Sequence, residues 1–145
     1  MRTNYLVIAL FVCLLSFAAM AEDCRPTPHR TTGTHYAPVT EHKVNISQGV
    51  TVRGRILVAP NCIPVANARI AHWQADENGE YVDRLRAYLL SDANGYFEFE
   101  TEWPNLSPPH IHFIVTAEGY QVLETQWRGD KPISLIEFDM VLQKN

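Results

Sequence analysis

The sequence has no surplus of positive charge. Its twelve Lys and Arg stand against sixteen Asp and Glu, giving a formal net charge of −4. No basic stripe runs along any segment, so nucleic acid is not an expected partner. There is no internal repeat, and beyond the N-terminal segment no stretch carries a convincing helical period, so a helical bundle is not expected either. Long apolar runs are also scarce, with one only, at the start of the chain. What remains is an ordinary globular composition over 145 residues, enough for one domain with a real core.

The single apolar run, Tyr5 to Ala18, follows Arg2 and precedes Ala19-Met20-Ala21. A short positive start, an apolar stretch and a small-x-small step together predict a signal peptide over 1–21, with Glu22 opening the mature chain. A transmembrane anchor is the alternative. The run is short for a span and Glu22-Asp23 follow at once, so the expectation is a secreted or periplasmic protein with no stable membrane anchor after cleavage. Cys13 leaves with that peptide. Cys24 and Cys62 remain, and two cysteines in an oxidising compartment are expected to pair.

Residues 22–49 are polar and rich in Pro, Thr and His and predict an irregular N-terminal arm. From Val50 the pattern changes to period two, and residues 50–145 predict an all-β domain. Strands are expected over 50–58, 68–74, 86–90, 96–101, 110–115, 122–127 and 136–142. Asp76-Glu77-Asn78-Gly79 and Asp92-Ala93-Asn94-Gly95 are strong turn signals between them. About seven short strands at this spacing indicate an antiparallel β-sandwich. Nothing in the pattern opposes a homo-oligomer and nothing demands one.

His110-Ile111-His112-Phe113 is the sharpest chemical signal. On a strand, residues i and i+2 project from the same face, about 7 Å apart along the chain. Two imidazoles can then converge on one ion while Ile111 and Phe113 face the core. Tyr81, just past a tight turn, is ordinarily a packing residue, but as a phenolate it suits a hard cation such as Fe(III). His72, beside Trp73, is either a core residue or an additional ligand. A third nitrogen would favour copper or zinc over iron. His29, His35 and His42 lie on the arm and read as solvated; an arm histidine or Tyr36 folding over the site is the alternative, with Tyr36 then an additional ligand.

Taken in order, these residues carry a resemblance. Cys24-Arg25-Pro26-Thr27-Pro28 through Gly33-Thr34-His35-Tyr36, Cys62-Ile63-Pro64, Trp73-Gln74-Ala75-Asp76 with Gly79-Glu80-Tyr81, Leu85-Arg86, Ser91-Asp92-Ala93-Asn94-Gly95, Pro109-His110-Ile111-His112-Phe113 and Thr125-Gln126 with Gly129-Asp130 follow the motif order of intradiol ring-cleavage dioxygenases. The mature chain resembles the small secreted type of that family. The resemblance implies a non-haem Fe(III) held by two Tyr and two His, and cleavage of an aromatic diol between its hydroxyl-bearing carbons with both atoms of O₂ inserted. It places Tyr81, His110 and His112 at three of the four ligand positions and Gln126 beside the substrate. Three places depart from the pattern, the first being Thr34-His35-Tyr36 on the arm, where the family has Pro-Tyr-Tyr. The loop Glu102–Pro109, where the family carries its second ligand tyrosine, contains none, and Ser107 stands where the family has an arginine. Two functions follow: an exported dioxygenase acting on catechols with Fe(III), or a metal-binding protein for copper, zinc or iron on the same fold with little or no turnover. A transthyretin-like interaction module, with no metal, is a third and weaker reading.

Overall fold

The computed structural model describes residues 24–145; the signal-peptide expectation for 1–21 lies outside them. Nine strands follow one another: β1 (Val50–Val58), β2 (Ile63–Pro64), β3 (Arg69–Ala75), β4 (Tyr81–Leu90), β5 (Tyr96–Thr101), β6 (His110–Thr116), β7 (Leu123–Arg128), β8 (Leu135–Glu137) and β9 (Met140–Leu142). Among the described residues no helix is long and apolar enough to cross a membrane.

The strands form two sheets. One has the order β4-β3-β6-β7, antiparallel throughout. The other is built on β1, which pairs antiparallel with β2 and β5 and parallel with β8 and β9. The sandwich is therefore as expected, apart from those two parallel pairings. The expected last strand is divided because residues 138–139 pass across β1 at Gly54. A Cβ added at Gly54 would lie 2.2 Å from the Phe138 carbonyl oxygen, so the crossing needs a residue with no side chain.

Alternation along the strands sorts the side chains. Val52, Ile56, Phe97 and Phe99 from one sheet meet Ile70, Leu89, Ile111, Phe113 and Val115 from the other in the main core. The outer face of the four-stranded sheet is covered as well. Val39 of the arm packs there with Ala71 and Trp73. That explains why β3 is buried on both faces, against the usual alternation of burial in an antiparallel strand.

The arm holds to this face through its carbonyls. Thr125 Oγ1 donates to the Pro28 carbonyl at 3.0 Å, Gln126 Nε2 to Thr31 at 3.0 Å and Arg86 Nη2 to His35 at 3.0 Å, and Arg69 donates to Val39. Its start is fixed by the disulfide between Cys24 and Cys62, as expected, with the Cα atoms 5.4 Å apart.

Candidate metal centre

Tyr81 opens β4 because the preceding turn closes tightly. Asp76 Oδ1 accepts the backbone N–H of Asn78 at 2.8 Å and of Glu80 at 3.0 Å, and Gly79 takes a φ of 80°. Those backbone donors hold the Asp76 carboxyl below its ordinary range. A register shift between Trp73 and Ala75 then sets Tyr81 opposite Ala75. On β6, the pairing places His112 opposite both Trp73 and Gln126, and His110 opposite Arg128.

The loop before β6 is anchored at its start. Glu102 takes Arg84 in a double contact at 2.6 and 3.0 Å, and the buried amide of Gln74 donates to the Glu102 carbonyl at 2.7 Å.

Three donor atoms meet here. Tyr81 Oη lies 2.8 Å from His110 Nε2 and 3.1 Å from His112 Nε2. His110 Nδ1 lies 2.8 Å from the Pro108 carbonyl, which can only accept, so Nδ1 carries the hydrogen and Nε2 turns its lone pair to the cluster. His112 is buried, and burial, with His110 nearby, lowers its pKa to about 4. Burial also raises the Tyr81 pKa, opposed by the nearby Arg86 charge. Indole and imidazole stack at 5.0 Å where Trp73 backs His112, and Tyr36 meets the Trp73 ring edge-on at 5.5 Å.

The donor set fits a metal ion. A phenol has one hydrogen and can serve only one of the two nitrogens. Donors bound at about 2.0–2.1 Å and at right angles stand about 3 Å apart, the spacing found here. Among the described residues no three His, Cys, Asp or Glu side chains form such a group; the third donor is a phenol.

Other expected residues fall elsewhere. His72, read as either a core residue or an additional ligand, faces away from the donors. It pairs with Phe113 rather than His112 and stacks on Phe99 at 3.8 Å in the inter-sheet core. One step of strand alternation separates it from Trp73 and from the site. Tyr88, the other tyrosine of β4, is opposite Ala71 and packs on His42 and the Arg69 guanidinium, away from the donors. Gln126 is in the row of His112, its amide shared between the Thr31 carbonyl and Arg128 Nε. His35, read as solvated, instead stacks on Tyr81 at 4.5 Å with the rings 6° from parallel. A cleft of about 450 Å³ lined by Arg53, Arg55, Glu137 and Asp139 lies on the other sheet. Its charged groups are already paired with one another, and the donor cluster is where the chemistry can occur.

Known proteins resemble this chain in sequence and in fold. Hydroxyquinol 1,2-dioxygenase of Rhodococcus opacus is 37% identical, over 43% of this chain and 30% of that protein. Catechol 1,2-dioxygenase 2 of Acinetobacter lwoffii is 27% identical, over 69% of this chain and 50% of that protein. Its relatives are intradiol ring-cleavage dioxygenases. This chain spans roughly a third to a half of the length of these curated dioxygenases. No family model matches it. Among solved structures, the dioxygenase domain of a dioxygenase–carbohydrate-binding protein fusion from Streptomyces sp. SirexAA-E superposes with a TM-score of 0.74 at 24% identity, covering 83% of this chain and all of that one. A 3-chlorocatechol 1,2-dioxygenase from Rhodococcus opacus 1CP gives 0.71 at 22%, covering 86% and 75%. At such identities the superpositions establish that this chain has the sandwich of intradiol dioxygenases.

Proposed function

We propose that this protein is an exported intradiol-type dioxygenase that cleaves small aromatic diols with O₂, using Fe(III) held by Tyr81, His110 and His112. The convergence of one phenol and two imidazole nitrogens within 3.1 Å carries the reading. Bound Fe(III) would supply Lewis acidity toward the diol oxygens and redox contact with O₂. The protein's own contributions follow from the geometry. His110 is oriented by the Pro108 carbonyl, and His112 is kept neutral by burial against Trp73. Gln126 stands opposite His112 on β7, where its amide can meet the diol once it releases Thr31.

The Tyr-free loop Glu102–Pro109, with Ser107 in place of an arginine, favours a second reading: the same site holding iron, copper or zinc with little ring cleavage. One experiment separates the two. Protein purified from its own compartment is assayed for metal, for a visible phenolate-to-iron charge-transfer band, and for muconate-type products from catechol and O₂. Iron, the band and product formation, all lost in His110→Ala and His112→Ala, support the dioxygenase. Metal binding unchanged in His110→Ala defeats the metal site itself, and bound metal without product leaves the second reading.

A further inference from the structure

Where the β1–β5 end of one sheet meets the β3–β4 turn of the other, there is a cleft of about 430 Å³. It is lined by Ser47 and Gln48 from just before β1, Glu77 from the turn, and Glu102, Trp103 and Asn105 from the loop after β5. None of these six residues is a donor of the metal centre. The walls are tied in place. The Glu102 carboxylate takes Arg84 at 2.6 and 3.0 Å and the Ser47 hydroxyl at 2.6 Å. Asn105 Nδ2 donates to the Glu77 carbonyl at 2.6 Å and so joins the loop to the turn. The two run so close that a Cβ added at Gly79 would lie 3.2 Å from the Asn105 carbonyl oxygen. A cleft held in this way has little freedom left to lose when a ligand enters.

Several groups in the cleft are left to solvent. The Gln48 amide and the Glu77 carboxylate, both exposed, make no side-chain hydrogen bond among the described residues, and the Asn105 amide oxygen is free while its nitrogen is used. Together they present planar donors and acceptors. Trp103 is half-buried and meets Trp127 edge-on at 5.9 Å. It also walls a second cleft, lined by Val50, Pro132 and Ile133, so the indole stands between a polar hollow and an apolar one. This mixture selects the guest. Arg84, the cation beside the cleft, is taken by Glu102, and Glu77 adds negative charge, so an anion is repelled. An apolar guest would strip water from the amides and the carboxylate and return no hydrogen bond. A pyranose ring satisfies both sides: hydroxyls on its rim bond to amide and carboxylate groups while its C–H face covers an indole.

We propose that this cleft binds a neutral saccharide, with Trp103 as the platform under one sugar ring and Gln48, Glu77 and Asn105 as partners of its hydroxyls. The cleft shares no residue with the Tyr81–His110–His112 triad, so the proposal does not rest on the dioxygenase reading.

The test titrates the purified, disulfide-intact chain with β-1,4-linked tetrasaccharides of glucose, xylose, mannose and N-acetylglucosamine, followed by two-dimensional NMR of nitrogen-labelled protein. At least one should bind saturably with a Kd at or below about 10 mM, shifting the indole signal of Trp103 and the amide signals of Gln48, Glu77 and Asn105. Sorbitol, which carries the hydroxyls but no ring face, should leave those signals in place. Trp103→Ala, shown to fold by circular dichroism, should weaken binding by about tenfold, the worth of a lost aromatic contact. Because Trp103 also packs on the core, Glu77→Ala is the second variant. Its side chain holds nothing in the fold, and its loss should weaken binding by about fivefold or more. Failure of all four tetrasaccharides to bind overturns the proposal, as does a Glu77→Ala chain that binds like the parent. Shifts centred on Tyr81, His110 and His112 overturn it too, because they put the sugar at the metal centre. So does displacement of the sugar by tetramethylammonium, which makes the indole and carboxylate a cation site.

Discussion

His72 shows how a single residue can set the protein's response to acid. Both of its ring nitrogens are buried without a partner, and burial lowers its pKa from 6.5 to about 3. The unfolded chain therefore takes up a proton that the folded chain refuses, and stability falls as pH drops below the unfolded value of 6.5. Near pH 5 the difference is about 2 kcal/mol, fully expressed only as pH approaches the folded value. His112, lowered to about 4, acts in the same direction. Urea unfolding of metal-free protein at about pH 7 and pH 5 should show this loss. His72→Leu should remove the His72 share and leave that of His112, at little cost near pH 7 because an unpartnered polar ring is replaced by an apolar group. A parent chain equally stable at both pH values would mean that His72 finds a partner in solution.

At the scale of the element, two features hold the sandwich in its arrangement. β8 and β9 lie on the same strand because the Phe138 carbonyl sits against Gly54. Gly54→Ala puts a methyl on a backbone oxygen that cannot rotate away, and it should destabilise the fold by about 1–3 kcal/mol in denaturant unfolding. The disulfide ties the arm to the turn after β1, and replacing Cys24 and Cys62 together by Ala should cost about 4 kcal/mol on the chain-entropy estimate for their 38-residue separation. The strands themselves were largely legible in the sequence. Val50–Val58 and Tyr96–Thr101 alternate openly, Asp76 and Asp92 announce their turns, and His110 and His112 must share a face on any strand. Register was not legible. That Trp73 faces His112, so that His72 faces Phe99, depends on how β3 slides against β6, and no local pattern encodes that. The arm was less legible still. It is held by carbonyls, which every residue carries, so nothing in its side chains announced that His35 would reach Tyr81.

At the scale of the whole molecule, the site is assembled from parts far apart in the chain. The arm supplies His35, the turn before β4 supplies Tyr81, and β6 supplies both imidazoles, all on the outer face of one sheet. The dioxygenase domain from Streptomyces, covered over its whole length, has the same sandwich. The ligand position that the resemblance leaves unfilled falls in one loop. Between Thr101 and His110 there is no tyrosine, and Ser107, exposed three residues before His110, brings no charge. The proposed dioxygenase therefore has no phenol in that loop to accept the diol's second proton, assistance of a kind typically worth about 10²- to 10⁴-fold. Iron-loaded protein should cleave catechol slower than a relative with four protein ligands by about that factor. Ser107→Arg should recover about tenfold or more of kcat with little change in metal content, because it restores positive charge beside His110 without touching a donor atom. Muconate formation followed by absorbance measures both. Parent turnover equal to that of a four-ligand relative would show that a residue outside the loop, with Tyr36 and His35 the nearest on the arm, already performs the missing task.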